Sequence, residues 1–255
     1  MQPQSDPLPG RPPKPGWREP FMKAFLWLFI GLVVSSVFWN LPLGYRMGPN
    51  GIKAYHVWSY NSFETTWKNT YWLGVPLEKF PLDLWIYQEI FYETKPDILI
   101  EAGTYKGGSA YFFASIFDLM KHGRVLTSDI QDFPDKPKHD RITYFIGSST
   151  SDAILSSIRA AIKPGESVMV SLDSDHHRDN VLKELRLYSP LVTVGDYLVV
   201  EDTDINGHPL LPNYGPGPME AVQEFLSENH DFISDHSREK FGVTSFPEGW
   251  LKRIR

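Results

Sequence analysis

From Leu82 to the C-terminus, short apolar runs alternate with helix-patterned segments, and no other feature constrains the fold so tightly. LDLWIYQEIFYET (Leu82 to Thr94) has helical spacing; Asp97 to Glu101 is a short extended run, and GGSAYFFASIFDLM continues as a helix. Two further apolar runs, Val125 to Ile130 and Ile142 to Gly147, read as strands. SDAILSSIRAAI opens on a Ser/Asp cap as a helix, VMVSLDSD reads as a fourth strand and DNVLKELRLYSPLV as a helix. YLVVED is the fifth strand, followed by the helix GPMEAVQEFLSEN. This order implies βαβ units, an α/β fold with a mostly parallel sheet, and ligands bound at the carboxyl ends of its strands.

Acids stand where such a sheet binds ligands. Glu101 ends the first run, Asp129 the second, Asp173 and Asp175 follow the fourth, and Glu201 and Asp202 the fifth. In a parallel sheet these ends gather along one crevice. The first run leads into EAGTYKGGSA, whose glycines Gly103, Gly107 and Gly108 call for a sharp bend or a close approach. A ligand can lie there against backbone amides and a helix N-terminus, while Asp129 suits the two hydroxyls of a ribose. The spacing is neither G-x-G-x-x-G nor a phosphate loop, so NAD and ATP are poorly supported.

Composition narrows the chemistry. A net charge of -6 supplies no basic stripe, which argues against nucleic acid as a partner. With no cysteine, thiolate nucleophiles and thiolate metal sites are excluded. Carboxylates, histidines and hydroxyls remain. LDSDHH and VVEDTD together offer a carboxylate from the fourth strand and a pair from the fifth, an oxygen-rich set for Mg²⁺ or a similar cation, with His176 and His177 alongside as proton acceptors. The plainer reading is that these acids cap helices and face solvent.

From about Thr65 onward the chain resembles the cephalosporin hydroxylase and rhamnosyl O-methyltransferase family, a branch of the S-adenosylmethionine-dependent methyltransferases. The residues that carry the resemblance are TTWKNTYWLGVPLEKFPLDLWIYQEI, KPDILIEAGTYKGGSA, LDSDH, VEDTDINGHP, GPGPMEAV and REKFGVTSFPEGWLKR. It implies a Rossmann-like class I methyltransferase with a mostly parallel seven-stranded sheet, helices on both faces, and last strands built after His230. It also implies S-adenosylmethionine at the glycine turn, with Glu101, Gly103, Gly107 and Ser109 at its amino-acid end, Asp129 at the ribose, and Gly147, Ser148 and Ser149 on the adenine side. For the metal, similarity to catechol-type enzymes, where an Asp followed by His is the first ligand, favours Asp175 over Asp173, with Glu201 and Asp202 completing the set.

In those enzymes a Lys three residues after the Asp is the base; here Arg178 holds that place and cannot accept a proton. The base is then sought among His177, first choice, His176, His208 and a carboxylate. The leading expectation is a metal-assisted O-methyltransferase acting on a sugar, glycolipid or secondary metabolite. A cephalosporin-hydroxylase-like oxygenase and a non-catalytic, membrane-attached binding module are the alternatives, and a homo-oligomer is an open possibility.

The N-terminus is different in kind. Residues 1–22 form a Pro-rich tail expected to be disordered, and 23–44, with AFLWLFIGLVVSSVFWNLPL about the length of a bilayer span, are expected to form a transmembrane or membrane-anchoring helix. The methyltransferase domain is expected over 45–255. Arg11, Lys14, Arg18 and Lys23 before the apolar run weakly place the N-terminus in the cytoplasm. The cofactor argues for a cytoplasmic catalytic domain instead. The expectation is a single-pass, membrane-associated protein with that domain in the cytoplasm and a lipid-linked acceptor.

Overall fold

The computed structural model describes residues 49–255. The tail expected over 1–22 and the transmembrane or anchoring helix expected over 23–44 lie outside the described residues; among the described residues, no helix is long and apolar enough to cross a membrane. Helix α1 (Pro49–Asn61), a small hairpin of β1 (Tyr71–Trp72) and β2 (Val75–Pro76), and α2 (Pro81–Thr94) come first. The expected alternation follows as β3 (Ile98–Ala102), α3 (Gly108–Met120), β4 (Arg124–Asp129), β5 (Ile142–Ile146), α4 (Asp152–Ala161), β6 (Val168–Leu172), α5 (Arg178–Tyr188), β7 (Tyr197–Val200) and α6 (Pro218–Glu228). The chain closes with β8 (Phe232–Ser234) and β9 (Trp250–Arg253).

Seven strands form one sheet in the order β5-β4-β3-β6-β7-β9-β8, parallel from β5 to β7, with β9 antiparallel to both β7 and β8. From β3 the chain winds outward through β4 and β5, then returns to β6 on the other side. That reversal opens a crevice above the β3 and β6 ends, where such sheets bind ligands.

Helices cover both faces. Ile98 and Ile100 of β3 pack with α4, α5 and α6 through Ile158, Leu185 and Phe225, while Leu99 on the opposite face packs with α2 and α3 through Phe91 and Phe113. Strands buried on both sides explain why VMVSL and YLVV read as continuous apolar runs rather than alternating ones. Helix α2 starts with Pro81 at its first turn, where a missing N–H costs nothing, and stops at Lys95 in the left-handed conformation with φ 50°. Its Tyr87 ring is fully buried, with its centroid 4.8 Å from that of Phe113 and 5.2 Å from that of Trp250. This packing carries the Tyr87 hydroxyl to the carboxyl ends of the strands.

Candidate active site

Two of the glycines are required by protein backbone. Gly103 has φ 102°, and a Cβ there would lie 1.8 Å from the Asp173 carbonyl oxygen, so only glycine lets the β3 exit close against the β6 exit. At Gly108 a Cβ would meet the Pro76 carbonyl oxygen at 2.0 Å, so this glycine seats the β1-β2 hairpin on α3. Above Gly103 opens a cavity of about 530 Å³, whose walls include Tyr105, Asp129, Gly147, Ser148, Ser149 and Asp173.

Five of the eight residues expected at the cofactor, namely Gly103, Asp129, Gly147, Ser148 and Ser149, line that cavity; Glu101, Gly107 and Ser109 do not. Glu101 is fully buried beneath the turn, where Oε2 accepts from Thr127 Oγ1 at 2.6 Å and Oε1 has no partner. Burial pushes its carboxyl up to about 7, against the pull of Lys79. Asp129 holds the turn by accepting from Tyr105 N at 2.7 Å and Gln131 N at 2.8 Å.

Asp173, His176 and Asp202 bring one ligand atom each within 4.8 Å of one another. His176 Nε2 lies 2.9 Å from Asp202 Oδ2 and 3.4 Å from Asp173 Oδ1, and is aligned for a hydrogen bond with neither. Burial opposes charge on this ring, yet Asp202 and Asp173 outweigh it and raise its pKa well above the ordinary value. Asp202 is held at φ 54°, a strained conformation for a residue other than glycine.

This cluster differs from the expected ligand set at two positions. Asp175, the favoured ligand, is not in the cluster although it lines the larger cavity: its side chain is 56% exposed and accepts from His177 N at 3.1 Å and His177 Nδ1 at 2.5 Å. The strand ends at Leu172, so Asp173 is the acid that leaves it into the crevice, while Asp175 makes a local turn before α5. Glu201 sits one layer lower, where Oε1 accepts from Tyr87 OH at 2.8 Å and Ser171 Oγ at 2.9 Å, and Oε2 pairs with Lys79. Burial pushes Glu201 up and Lys79 counters it. The same ammonium pairs with Asp173 Oδ2, and together with His176 it holds Asp173 below the usual carboxylate range despite burial. Of the three histidines weighed as bases, only His176 reaches the cluster. His177 is 70% exposed beside Asp175, and His208 Nε2 lies 3.0 Å from Glu220.

A second cavity meets the cluster from the other side, with walls from α1 and the segment after it: His56, Tyr60 and Trp67, together with Lys79, Asp202 and Asp204. The Tyr60 and Trp67 rings stack at 5.7 Å, and His56 Nε2 lies 2.8 Å from Asp204 Oδ2. Burial lowers the pKa of His56 and raises that of Asp204. Asp173 lines both cavities. None of His56, Tyr60, Trp67 and Lys79 is marked by a strand end. The run WKNTYWLGVPLEKFPLD, which carried the resemblance without assigning a role, holds Trp67 and Lys79; His56 and Tyr60 lie before it and had no signal in the sequence.

A family model described as Rhamnosyl O-methyltransferase/CmcI matches residues 64–254. The chain belongs to this family. A curated Rhamnosyl O-methyltransferase of Mycobacterium tuberculosis H37Rv is 40% identical over 232 residues, spanning 88% of this chain and 94% of its own. Among solved structures, unliganded CmcI aligns with TM-score 0.59 at 20% identity, covering 74% of this chain and 77% of its own. CmcI with magnesium and S-adenosylmethionine aligns with TM-score 0.57 at 22% identity, covering 74% and 78%. These two show the shared fold. Family membership makes the chain an O-methyltransferase, and the donor set agrees: two carboxylates suit a hard cation, and the single histidine beside them falls short of the two histidines and one carboxylate of an Fe(II) oxygenase triad.

Proposed function

We propose that the chain moves the methyl group of S-adenosylmethionine to a hydroxyl of a sugar, carried on a glycolipid or another secondary metabolite, at a site holding Mg²⁺ or a similar cation. One observation carries the reading: Asp173 is a wall of both the larger cavity and the α1 cavity. A cofactor in the first and a sugar in the second meet across it. The cofactor's amino-acid end suits the backbone amides before α3, and its ribose suits Asp129. The stacked Tyr60–Trp67 pair gives the second cavity a flat apolar wall fit for a sugar ring.

Asp173 and Asp202 fit the cation, since the buried His176 Nε2 between them has no aligned partner of its own. Held by Asp173 and Asp202, a divalent cation would supply positive charge that lowers the acceptor hydroxyl's pKa and offsets the two carboxylates that favour the charged form of His176. His176, neutral, then takes the proton of the hydroxyl. Lys79 pairs with both Asp173 and Glu201, fixing the two side chains and favouring the ionised form of Asp173. Walls on both sides hold the oxygen in line with the sulfonium methyl, so displacement needs positioning more than further chemistry.

The uncharged run Ala24 to Leu43 supports a membrane-borne acceptor, because anchoring raises the enzyme's effective concentration at its substrate. Deleting 1–44 is expected to cut activity on a membrane-embedded acceptor far more than on a short analogue; equal losses would remove the anchoring role. The transfer itself is tested on the full-length chain with radiolabelled S-adenosylmethionine and p-nitrophenyl α-L-rhamnoside. Label on the sugar that EDTA abolishes supports the reading, and failure to bind S-adenosylmethionine with or without Mg²⁺ overturns it.

A further inference from the structure

We infer that Glu184, a residue that touches neither cavity, sets which nucleobase the larger cavity accepts. It does so by fixing the direction of two serine hydroxyls. This rests on the proposed reading that the cavity holds S-adenosylmethionine with its adenine on the Gly147 to Ser149 side.

Glu184 projects from α5 and is fully buried. Its Oε1 accepts from Ser174 Oγ at 2.6 Å and from Ser149 Oγ, while Oε2 is buried without any partner. Ser149 and Ser174 both line the larger cavity; Glu184 stands behind them. A hydroxyl carries one proton and two lone pairs. Both protons are spent on Glu184 Oε1, so the serine oxygens have only lone pairs to offer a ligand. Asn180 Nδ2, at 3.3 Å, takes up part of the Ser174 oxygen's capacity, and the Ser149 carbonyl is occupied by Tyr188 OH at 2.8 Å. The Ser149 hydroxyl oxygen is therefore the acceptor left open. Protonation of Glu184 at Oε2 changes nothing here, because Oε1 still accepts from both hydroxyls.

A base edge with an N–H donor is matched by such a wall, and one with a carbonyl faces lone pair against lone pair. Adenine presents an amino group at its six-position. Hypoxanthine presents a carbonyl there. Glu184 thus acts as a positioning residue for adenine recognition.

The experiment is calorimetric titration of the full-length chain with S-adenosylhomocysteine and with S-inosylhomocysteine, read as the ratio of the two Kd values. The wild-type chain is expected to prefer the adenine compound. Glu184→Met frees both hydroxyls to rotate and donate, and is expected to shrink the preference about tenfold, the worth of one hydrogen bond set against a buried mismatch. Glu184→Gln keeps an acceptor oxygen and is expected to keep the preference. Ser149→Ala, which leaves Glu184 in place, is expected to weaken the adenine compound more than the inosine one. An unchanged ratio in Glu184→Met and Ser149→Ala, or no preference in the wild type, overturns the inference. If the wild type binds neither compound, the cofactor reading itself falls and this inference with it.

Discussion

The two cavities that meet at Asp173 are built from different material. The larger one is made of turns that follow β-strands: Gly103 after β3, Asp129 at the end of β4, Gly147 to Ser149 after β5 and Asp173 after β6. Each turn is placed by the sheet's register, so the parallel order of strands alone brings the residues together. The α1 cavity takes most of its wall from elements outside the alternation, in α1, the Trp67 turn and the Lys79 loop. Its floor is an ion-pair layer in which one buried ammonium meets two acids. A site set by sheet topology can be read from periodicity, and a site set by tertiary packing of loops cannot.

Breaking that floor is the largest expected effect. Lys79→Met leaves buried Glu201 and half-buried Asp173 without their shared counterion and is expected to destabilise the chain by about 3 kcal/mol, as read by denaturant unfolding. A loss under 1 kcal/mol would mean that the ion-pair layer is not structural. Asp129→Asn sharpens the division from the other side. Both Asp129 oxygens receive backbone N–H groups, and weakening these charged hydrogen bonds is expected to raise the S-adenosylmethionine Kd about tenfold or more while the acceptor KM stays put. Trp67→Ala reverses the pattern: the acceptor KM rises by about three- to tenfold with the loss of one stacked ring, and the cofactor Kd is unchanged.

The smallest effect belongs to Asp196, at the opposite end of β7 from both cavities. Its buried carboxyl, with Oδ1 unpartnered, is pushed up by burial from 3.8 to about 6. The folded chain therefore holds this proton more tightly than the unfolded one, and the stability it contributes at low pH is lost as pH rises from 3.8 through about 6. Asp196→Asn is expected to flatten that slope and to gain about 1 kcal/mol at neutral pH, without moving either binding constant. A shift in cofactor affinity would show that the two ends of the sheet are coupled.

The sequence carries the alternation, the strand order's consequence and the acids at the strand ends, because these follow from hydrophobic period and parallel topology. What it cannot carry is register to a single residue. LDSDHH holds two acids two positions apart, and the choice turns on the strand stopping at Leu172, which sends Asp173 into the crevice and leaves Asp175 to a local turn with His177. The glycine turn is a subtler case. Its openness read as room for a ligand, yet Gly103 and Gly108 are demanded by the carbonyls of Asp173 and Pro76. Lys79 was illegible for another reason: a lysine in a loop is ordinarily solvated, and only the fold shows it buried between two carboxylates.

The measurement that tests the shared wall most directly is calorimetric titration of the full-length chain with Mg²⁺ and with S-adenosylmethionine, in the wild type and in Asp173→Asn. The wild type is expected to bind both. Asp173→Asn is expected to lose the cation while holding S-adenosylmethionine within a few-fold, because the rest of the larger cavity is intact. Wild-type Mg²⁺ affinity in Asp173→Asn would contradict the account, and would move the cation away from the place where the two cavities meet.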